Sequence, residues 1–382
     1  MTTAIPLSEL QYSNTSNIKP DIKMLSSIIG LLFFSALNIE NLIAPDGFKI
    51  EIFASDVINA RQMALAENGT IFVGTRKEGQ VYALVDNNND GKADKQYLID
   101  KNLNMPSGVA FKNGALYVAA VNRILRYDNI EKQLKHPPEP VVVIDDLPDD
   151  SHHGWKAIEF NASGNLLIPV GMPCNICLSN DQRHGTIIEL NVKTGQYKIF
   201  ASGIRNSVGL AIHPEDKTLW FSDNGRDWLG DDLPPDEINH AEKPGLNFGF
   251  PYLHGKNTLD PEYAEQAEIN EYTLPVVELG AHVAPLGLSF YSGKQFPKKY
   301  HHSLLVAEHG SWNRSKKTGY RIINIQFNGN DVKVKPFITG WLDKEEDSAW
   351  GRPVDILNLP DGSILISDDY ADVIYRVTYQ KK

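Results

Sequence analysis

The sequence predicts an all-β fold, namely a six-bladed β-propeller with four-stranded antiparallel blades. Three observations predict it: a turn-and-strand pattern that returns six times, the lack of any long helical stripe between the copies, and a last unit that ends one strand short. Short strands that recur at intervals of roughly 45 to 80 residues are typical of propellers, because each blade is one supersecondary unit.

The repeated unit is a turn containing Gly or Asp followed by a strand of three apolar residues. Copies of this pattern occupy 68–73, 113–118, 163–168, 216–221, 302–307 and 361–366. A second apolar strand follows most of them, at 81–84, 124–127, 187–190, 320–323 and 374–377. Polar residues come after each repeated strand, so we expect these tips to face one mouth of the central channel, where propellers bind ligands.

The ends of the chain predict how the ring closes. Residues 197–202 read YKIFAS and end the third unit, whereas the sixth unit stops at Tyr379 without such a strand. Residues 48–55 read FKIEIFAS and have no unit before them. We therefore expect 48–55 to supply the outer strand of the sixth blade, which removes a free sheet edge. The propeller domain is predicted to span 43–382.

Composition excludes some partners. The 382 residues carry a net charge of −11, and nucleic-acid binding requires a basic face. We expect no nucleic-acid partner.

The chain has two cysteines, Cys174 and Cys177, in the order Cys-Asn-Ile-Cys. A four-thiolate zinc site within one chain is excluded, and so is covalent haem attachment, because no His follows Cys177. A local disulfide, which suits an oxidising compartment, and a pair of free thiols both stay open.

Residues 1–42 are interpreted as a signal peptide or N-terminal anchor. The run 24–39, MLSSIIGLLFFSALNI, follows Lys19 and Lys23 and has the length of a signal-peptide core rather than a membrane span. The expected localisation is periplasmic or secreted, by Gram-negative-like export. Tethering to a membrane through 24–39 and a buried N-terminal helix are the alternatives.

The stretch 201–239 concentrates polar residues that a fold does not need. Arg205 and Asn206 precede a short strand, and Asp223-Asn224-Gly225-Arg226 follows the next one. Five carboxylates come directly afterwards, at Asp227, Asp231, Asp232, Asp236 and Glu237. Carboxylates this dense repel one another unless a cation or Arg pairs them, and oxygen ligands suit calcium. A solvated acidic loop is the alternative.

A second candidate calcium loop lies at 86–94. Asp86, Asn88, Asp90 and Asp94 stand at loop positions 1, 3, 5 and 9, and Gly91 stands at position 6. Position 12 is Tyr97 rather than Glu, so an Asn/Asp-rich turn is an equally good interpretation.

Histidines and arginines at blade entrances suggest chemistry at the channel mouth. His152 and His153 come just before the third unit, and a His there can act as a general base because its charge changes near neutral pH. Arg205, Arg314 and Arg352 suggest an anionic cofactor that carries carboxylates. The sequence has no dinucleotide fingerprint and no P-loop.

At these residues the chain resembles the pyrroloquinoline-quinone (PQQ)-dependent soluble sugar dehydrogenases of the glucose and sorbosone dehydrogenase type. The resemblance runs from about Ala44 to Tyr379 and is nearest to the sorbosone branch. It is carried by the phrases HGWK, PCNIC, GIRNSVG, DNGRDWLGDDLPPDEIN, GLNFGFPY, AEHGSWNR and WGRPVD. The fold of that family is a six-bladed propeller, in agreement with the repeats.

The resemblance implies residue roles. His153 matches the catalytic base by position, and His152 does so by the spacing of the glucose branch. The implied quinone contacts are Arg205, Asn206, Asn224, His282, Arg314 and Arg352. The implied calcium site uses the carbonyls of Gly225 and Arg226, beside the carboxylates Asp223, Asp236 and Glu237. Some family positions differ: Val354 replaces a second cofactor arginine, and Pro106 and Pro173 replace two glutamines.

The implied activity is a PQQ- and calcium-dependent oxidation of a sugar, or of a sugar-derived aldehyde or alcohol. His153 would take the hydroxyl proton, a hydride would pass to the quinone, and Arg205 would stabilise the developing oxyanion. The implied partners are a sugar-like substrate and an electron acceptor, either the quinone pool or a small cytochrome. A calcium-dependent propeller lactone hydrolase and a non-catalytic ligand-binding propeller are the alternatives.

Overall fold

The structure, a computed structural model, describes residues 37–329 and 331–381. Most of the predicted leader 1–42 and most of the apolar run 24–39 lie outside these residues. In the described part, no helix is both long enough and apolar enough to cross a membrane. Regular structure there is almost entirely β, with short 3₁₀ turns at Ile39–Asn41, Ile130–Lys132, Ala264–Gln266, Ile269–Glu271 and Lys298–Tyr300.

Six antiparallel sheets form the blades, as predicted. Blade 1 holds Ala60–Leu65, Ile71–Thr75, Val81–Val85 and Lys95–Asp100, and blade 2 holds Gly108–Lys112, Ala115–Ala120, Arg123–Tyr127 and Val141–Ile144. Blade 3 holds Glu159–Phe160, Leu166–Val170, Thr186–Leu190 and Tyr197–Ser202, and a short parallel strand, Leu246–Asn247, adds to its edge. Blade 4 holds Leu210–Ile212, Leu219–Asp223, Glu237–Ala241 and Val277–Glu278.

Blades 5 and 6 complete the ring. Blade 5 holds Pro285–Phe290, Leu304–Glu308, Arg321–Asn328 and Asp331–Ile338. Blade 6 holds Pro353–Asn358, Ile364–Asp368, Val373–Tyr379 and, on its outer edge, Phe48–Ala54. Two small hairpins lie outside the blades, Leu253–His254 with Thr258–Leu259 and Leu342–Asp343 with Ser348–Ala349.

The first strand of each blade is the innermost one. First strands of successive blades contact one another all the way round, and Pro353–Asn358 of blade 6 returns to Ala60–Leu65 of blade 1. The repeated apolar strands seen in the sequence are therefore the second strands, buried between the inner strand and the rest of the blade. This explains why they read as continuous apolar runs: each sheet is covered on both faces by its neighbours.

The N-terminal strand closes the ring as predicted. Phe48–Ala54 runs antiparallel to Val373–Tyr379, with Phe48 opposite Tyr379 and Ile52 opposite Tyr375. The Phe48 ring has centroid distances of 4.7 Å to Phe296 and 5.0 Å to Phe337. The strand therefore joins the hydrophobic cluster between blades 5 and 6 and covers the edge that the last unit leaves open.

Residues just before this strand also pack on the propeller. Leu37, Ile39 and Leu42 lie against the cluster between blades 5 and 6, and Ile43 forms a β-bridge with Thr339. The packed chain therefore begins before residue 43, within the C-terminal end of the segment assigned to the leader.

Candidate functional site

A cavity of about 500 Å³ opens at one end of the ring. Its walls come from residues at the start of the first strands and from residues that follow the second strands, which meet at the same edge of each antiparallel pair. The first group contains His153, Trp155, Arg205, Asn206, His282, Leu286, Arg61 and Arg352, and the second contains Arg76, Asn224, Gly225, His309 and Gly310. The expectation that polar tips face a channel mouth is therefore confirmed in blades 1, 4 and 5.

The two predicted histidines both line this cavity. His153 is buried, has a φ of 51°, and places Nδ1 2.9 Å from the carbonyl oxygen of Met172. A carbonyl can only accept, so Nδ1 carries the proton and Nε2 keeps its lone pair. Burial, reinforced by the charge of Arg205, lowers the pKa of His153 to about 2. The ring is therefore neutral at physiological pH.

His152 lies beside His153 with ring centroids 4.0 Å apart. Burial and then Arg205 lower its pKa as well, although its ring is more exposed. Lys156, the third basic residue of this segment, points away from the cavity lining: its ammonium donates to the Gly154 carbonyl at 3.1 Å, and burial lowers its pKa to about 8.

Arg205 is the most heavily bonded side chain of the site and is 3% exposed. Its Nε donates to the Asn175 carbonyl at 2.8 Å, and Nη1 donates to the Asn224 carbonyl at 3.1 Å. Its Nη2 donates to Asn175 Oδ1 at 2.8 Å and to Asp227 Oδ2 at 3.2 Å. These bonds fix the guanidinium at the cavity wall.

Asp223 shapes the backbone rather than the cavity surface. Its two carboxylate oxygens accept the backbone N–H groups of Arg205 at 2.8 Å and Asn206 at 2.6 Å. The Asn224 amide donates to the Asn206 carbonyl at 2.9 Å and so ties the end of one strand to the start of its neighbour. The predicted Arg-Asn and Asp-Asn pairs are thus brought together.

The other predicted calcium residues divide into two groups. Gly225 and Asp236 line the cavity, and Asp236 accepts the backbone N–H groups of Gly225 at 2.7 Å and Ala284 at 2.8 Å. Arg226 turns away to Asp260 at 2.6 Å. Glu237 accepts from the Gly255 N–H and from Asn239, and burial raises its pKa and also that of Asp236.

The loop at 86–94 is stabilised by its own side chains. Asp86 accepts the N–H groups of Asp90 and Gly91, and Asp94 accepts that of Asn87 at 2.6 Å. Asn88 lies 3.2 Å from Asp90. Within the residues described, no group of three or more His, Cys, Asp or Glu side chains is arranged to hold a metal ion. Calcium binding at either place stays a prediction.

The remaining predicted cofactor residues differ in position. His282 lines the cavity with a φ of 62°, and its Nε2 lies 2.8 Å from the Gly230 carbonyl. Arg352 lines it too, held by the carbonyls of His309 at 3.0 Å and Gly310 at 2.6 Å. Arg314 bonds Asp231 and Asp232 and is absent from the lining of the cavity.

Sequence reasoning missed two arginines of blade 1. Arg61 and Arg76 line the cavity, and the Arg76 guanidinium lies 3.4 Å from the ring centroid of Trp155. Only their positions in the sequence could have indicated that these arginines belong to the site. Arg61 stands within the inner strand, and Arg76 directly follows the second strand, where the other blades carry site residues.

A histidine-carboxylate pair was missed as well. His309 Nε2 lies 2.7 Å from Asp369, whose other oxygen accepts from Arg61 at 2.7 Å. Burial lowers the pKa of His309 to about 4, while His309 and Arg61, against the effect of burial, hold the pKa of Asp369 well below its usual range. This pair joins blade 5 to blade 6 beside the cavity, across 60 residues of sequence.

Three buried polar atoms at the cavity have no hydrogen-bond partner in the described structure: Arg76 Nε, Trp155 Nε1 and Asn206 Oδ1. Buried polar groups are nearly always bonded, and an unpaired one costs free energy. All three belong to residues that line the cavity, but the atoms themselves are closed to solvent in this conformation.

Comparisons with known proteins agree with this architecture. The family described as "Domain of unknown function (DUF7133)" matches residues 36–379, so the chain belongs to that family. A protein of Borreliella burgdorferi described as uncharacterized is 37% identical over 352 residues, which is 88% of this chain and 90% of that protein.

Solved structures share the propeller. The calcium structure of a Trichoderma reesei protein of carbohydrate-active enzyme family AA12 has a TM-score of 0.76 at 19% identity, over 89% of this chain and 97% of that one. The holo form of the PQQ domain of a pyranose dehydrogenase from Coprinopsis cinerea has a TM-score of 0.74 at 14% identity, over 88% and 97%. At these identities the likeness shows the fold.

Proposed function

We propose that this member of the DUF7133 family is a PQQ- and calcium-dependent oxidoreductase that oxidises a ring sugar or a sugar-derived alcohol or aldehyde. One observation carries the proposal: a neutral, oriented histidine, His153, faces a cavity that is also lined by Arg61, Arg76, Arg205 and Arg352. A base and a surplus of positive charge in one cavity suit proton removal next to an anionic redox cofactor.

The cavity fits a quinone that carries carboxylates. Four guanidinium groups line it, and the Asp227 and Asp236 carboxylates that share the lining are engaged by Arg205 and by backbone N–H groups. The Arg76 guanidinium lies over the Trp155 ring, and Asn206 lines the same cavity. We assign Arg76, Arg205, Asn206 and Arg352 to hold the cofactor. When bound, PQQ would supply the two-electron acceptor that no side chain provides.

Calcium would depend on backbone oxygens here. Both oxygens of Asp223 and of Asp236 already accept backbone hydrogen bonds, and Glu237 is likewise occupied. The carbonyls of Gly225, which lines the cavity, and of the following residue, Arg226, are the oxygen ligands that we assign. Hard oxygen ligands of this kind suit calcium. The AA12 neighbour is described as a calcium structure, which supports the assignment.

The remaining roles in the proposed reaction belong to His153 and Arg205. His153 Nε2 accepts the proton of a substrate hydroxyl, because Nδ1 is committed to the Met172 carbonyl. Arg205 keeps a positive charge fixed at the wall, where it stabilises negative charge that develops in the transition state. Occupation of the cavity by an anion offsets the arginine charges and raises the basicity of His153, since Arg205 is one cause of its low pKa.

The cavity mouth supports a sugar-like substrate. Trp312 lines the cavity and is 67% exposed, and Trp228, which is 68% exposed, lies edge-on to it with ring centroids 5.5 Å apart. Exposed indole faces stack on the apolar C–H face of a pyranose, while its hydroxyl groups stay free for polar partners. The resemblance to sugar dehydrogenases and the pyranose dehydrogenase neighbour support the same substrate class.

Two further expectations belong with the proposal. The Cys174–Cys177 disulfide is present, which supports the predicted export because disulfides persist in oxidising compartments. The expected electron acceptor, the quinone pool or a small cytochrome, is replaced by a redox dye in the assay below.

The test reconstitutes purified protein with PQQ and calcium and measures dye reduction with aldoses, sorbosone and simple alcohols. We expect sugar-dependent reduction that requires both additions and is lost in Arg76→Ala combined with Arg352→Ala. The matched control is Arg123→Ala, an exposed arginine of blade 2 far from the cavity lining. Lactone hydrolysis without quinone would favour the hydrolase, and sugar binding without either reaction would favour a binding module.

A further inference from the structure

The disulfide loop of blade 3 contacts the proposed site. Cys174 and Cys177 are joined with Cα atoms 6.2 Å apart, which closes a loop containing Asn175 and Ile176. The loop follows the strand Leu166–Val170 on the side of the blade where the cavity opens. Asn175 is partly buried and is not part of the cavity lining, so its influence on the site must pass through other residues.

Asn175 makes four hydrogen bonds to two residues of the site. Its carbonyl accepts from Arg205 Nε at 2.8 Å, and its Oδ1 accepts from Arg205 Nη2 at 2.8 Å. The same Oδ1 accepts the backbone N–H of Asp227 at 2.8 Å, and Nδ2 donates to the Asp227 carbonyl at 3.2 Å. This network fixes the amide orientation, because a flipped amide would set NH₂ against two donors.

These bonds determine how Arg205 faces a ligand. A guanidinium has five N–H groups. Four hydrogen bonds to described residues engage the Nε–H, both Nη2–H groups and one Nη1–H. One N–H, on Nη1, is left for a ligand. Its direction depends on Asn175, which holds the opposite edge of the planar group at both Nε and Nη2.

The hydrogen bonds of Asn175 also act on the chain at the mouth of the cavity. Asp227 is bonded by Asn175 at both its N–H and its carbonyl, and the next residue, Trp228, has a φ of 72°. A bulky residue with positive φ is strained and persists only where its surroundings determine it. Trp228 forms the exposed pair with Trp312.

We propose that Asn175, held in the Cys174–Cys177 disulfide loop, is a positioning residue that orients Arg205 at the cavity wall and Trp228 at its mouth. The disulfide keeps the short loop in the conformation that presents both the carbonyl and the side chain of Asn175 to one guanidinium. For its effect on cofactor affinity, this inference rests on the proposed function.

The first measurement requires no cofactor. Hydrogen exchange of the Arg205 Nη2–H groups, for which Asn175 Oδ1 is an acceptor, is followed by ¹⁵N NMR, and the signal is assigned by its loss in Arg205→Lys. Asn175→Ala should speed this exchange roughly tenfold, the scale of one lost hydrogen bond to a charged group. Asn175→Asp keeps the Oδ1 acceptor and should stay near the wild-type rate. Asn180→Ala, an exposed asparagine of the same segment, is the control.

The disulfide is tested in the same way. Cys174→Ser combined with Cys177→Ser should also speed exchange of the Arg205 Nη2–H groups, and so should reduction of the wild-type protein with dithiothreitol. Circular dichroism and a thermal melt show whether each form is folded, and the reduced wild-type protein serves if the double variant does not fold. Unchanged exchange in a folded, disulfide-free form would overturn the role of the disulfide.

The second measurement is PQQ affinity in the presence of calcium, followed by quenching of tryptophan fluorescence. Asn175→Ala should bind PQQ roughly tenfold more weakly, with no change in Asn180→Ala. Wild-type exchange in folded Asn175→Ala would refute the positioning role. Faster exchange in that variant together with wild-type protein that binds no PQQ would refute the cofactor and leave the positioning role supported.

Discussion

Replacing His153 by Gln removes the ring nitrogen assigned as proton acceptor and leaves a neutral amide side chain of similar length. His153 is 7% exposed, and its Nδ1 lies 2.9 Å from the Met172 carbonyl, so the substitution keeps a polar group where the structure requires one. The variant should therefore fold, and the arginines that hold the cofactor should keep their contacts.

The expected loss follows from the role of the base. Positioned proton transfer is worth ~10²–10⁴ in rate, which corresponds to ~2.7–5.5 kcal/mol of transition-state free energy. We expect His153→Gln to lose turnover on this scale while PQQ affinity changes little. His152→Gln is the matched control, since its ring lies 4.0 Å away in the same cavity but lacks the bond to Met172.

The assay compares dye reduction at saturating sugar with PQQ binding in the same preparations. A large loss in His152→Gln with normal turnover in His153→Gln would move the role to His152. Near-normal turnover in both variants and in the double variant would refute histidine base catalysis, and it would leave the hydrolase or the binding module as the better account.

Four further predictions follow from the fold, the metal and the titrating groups. Phe48→Ala should lower the free energy of unfolding by about 3 kcal/mol in urea denaturation, because its ring lies within about 5 Å of four aromatic rings. Deletion of 1–56 should cause aggregation that deletion of 1–36 does not, and a soluble, active 57–382 fragment would contradict ring closure. Chelation of calcium should abolish PQQ retention on dialysis, and equal retention would remove calcium from the site. The pKa of His153 is about 2 in the fold and ordinarily near 6.5, so its titration leaves stability nearly unchanged above pH 6.5 and lowers it progressively below, where the unfolded chain takes up a proton that the fold does not. From pH 7 to pH 5, the stability of His153→Gln relative to wild type should therefore rise by about 2 kcal/mol in urea titrations, and an unchanged difference would show that His153 titrates normally.

The blades could be predicted from the sequence because their cause is local. A sheet covered on both faces must be apolar at successive positions, and so the second strands stand out as short apolar runs between turns. The inner strands were harder to see: Glu159–Phe160 has only two residues, and Leu210–Ile212 only three. Their burial depends on neighbouring blades, which no local pattern records.

Part of the site could be predicted from the sequence. The prediction was limited because a sequence does not show in which direction a side chain points. His153, Arg205, Asn206, His282 and Arg352 were identified from phrases at blade entrances, and all of them line the cavity. Arg314 was also identified but turns to Asp232, whereas Arg226 was identified for its carbonyl, which the salt bridge of its side chain to Asp260 does not test. A sequence shows that an arginine is present, whereas its partner is decided by loops that fold back from elsewhere in the chain.

Pairs of residues that meet across blades could not be predicted from the sequence. His309 and Asp369 are 60 residues apart, and Arg61 is 308 residues from the same carboxylate. The ring brings blades 5, 6 and 1 together, so these residues meet only after closure by the N-terminal strand. The missed residues are therefore concentrated where the two ends of the chain meet.

Net charge says little about the charge of a buried site. The chain carries −11 overall, which argues against a nucleic-acid partner, yet four arginines line the cavity at the mouth of the ring. Acidic groups at the surface are screened within about 10 Å in ordinary salt, whereas guanidinium groups in a partly enclosed cavity act on a ligand directly. Two of these arginines are held by backbone or amide acceptors, Arg205 by Asn175 and Arg352 by the carbonyls of His309 and Gly310. Neutral acceptors orient Arg352 without cancelling its charge, whereas Arg205 is also paired with Asp227 and Arg61 with Asp369. Among the described residues Arg76 and Arg352 form no salt bridge, and these two leave the cavity positive for an anionic cofactor.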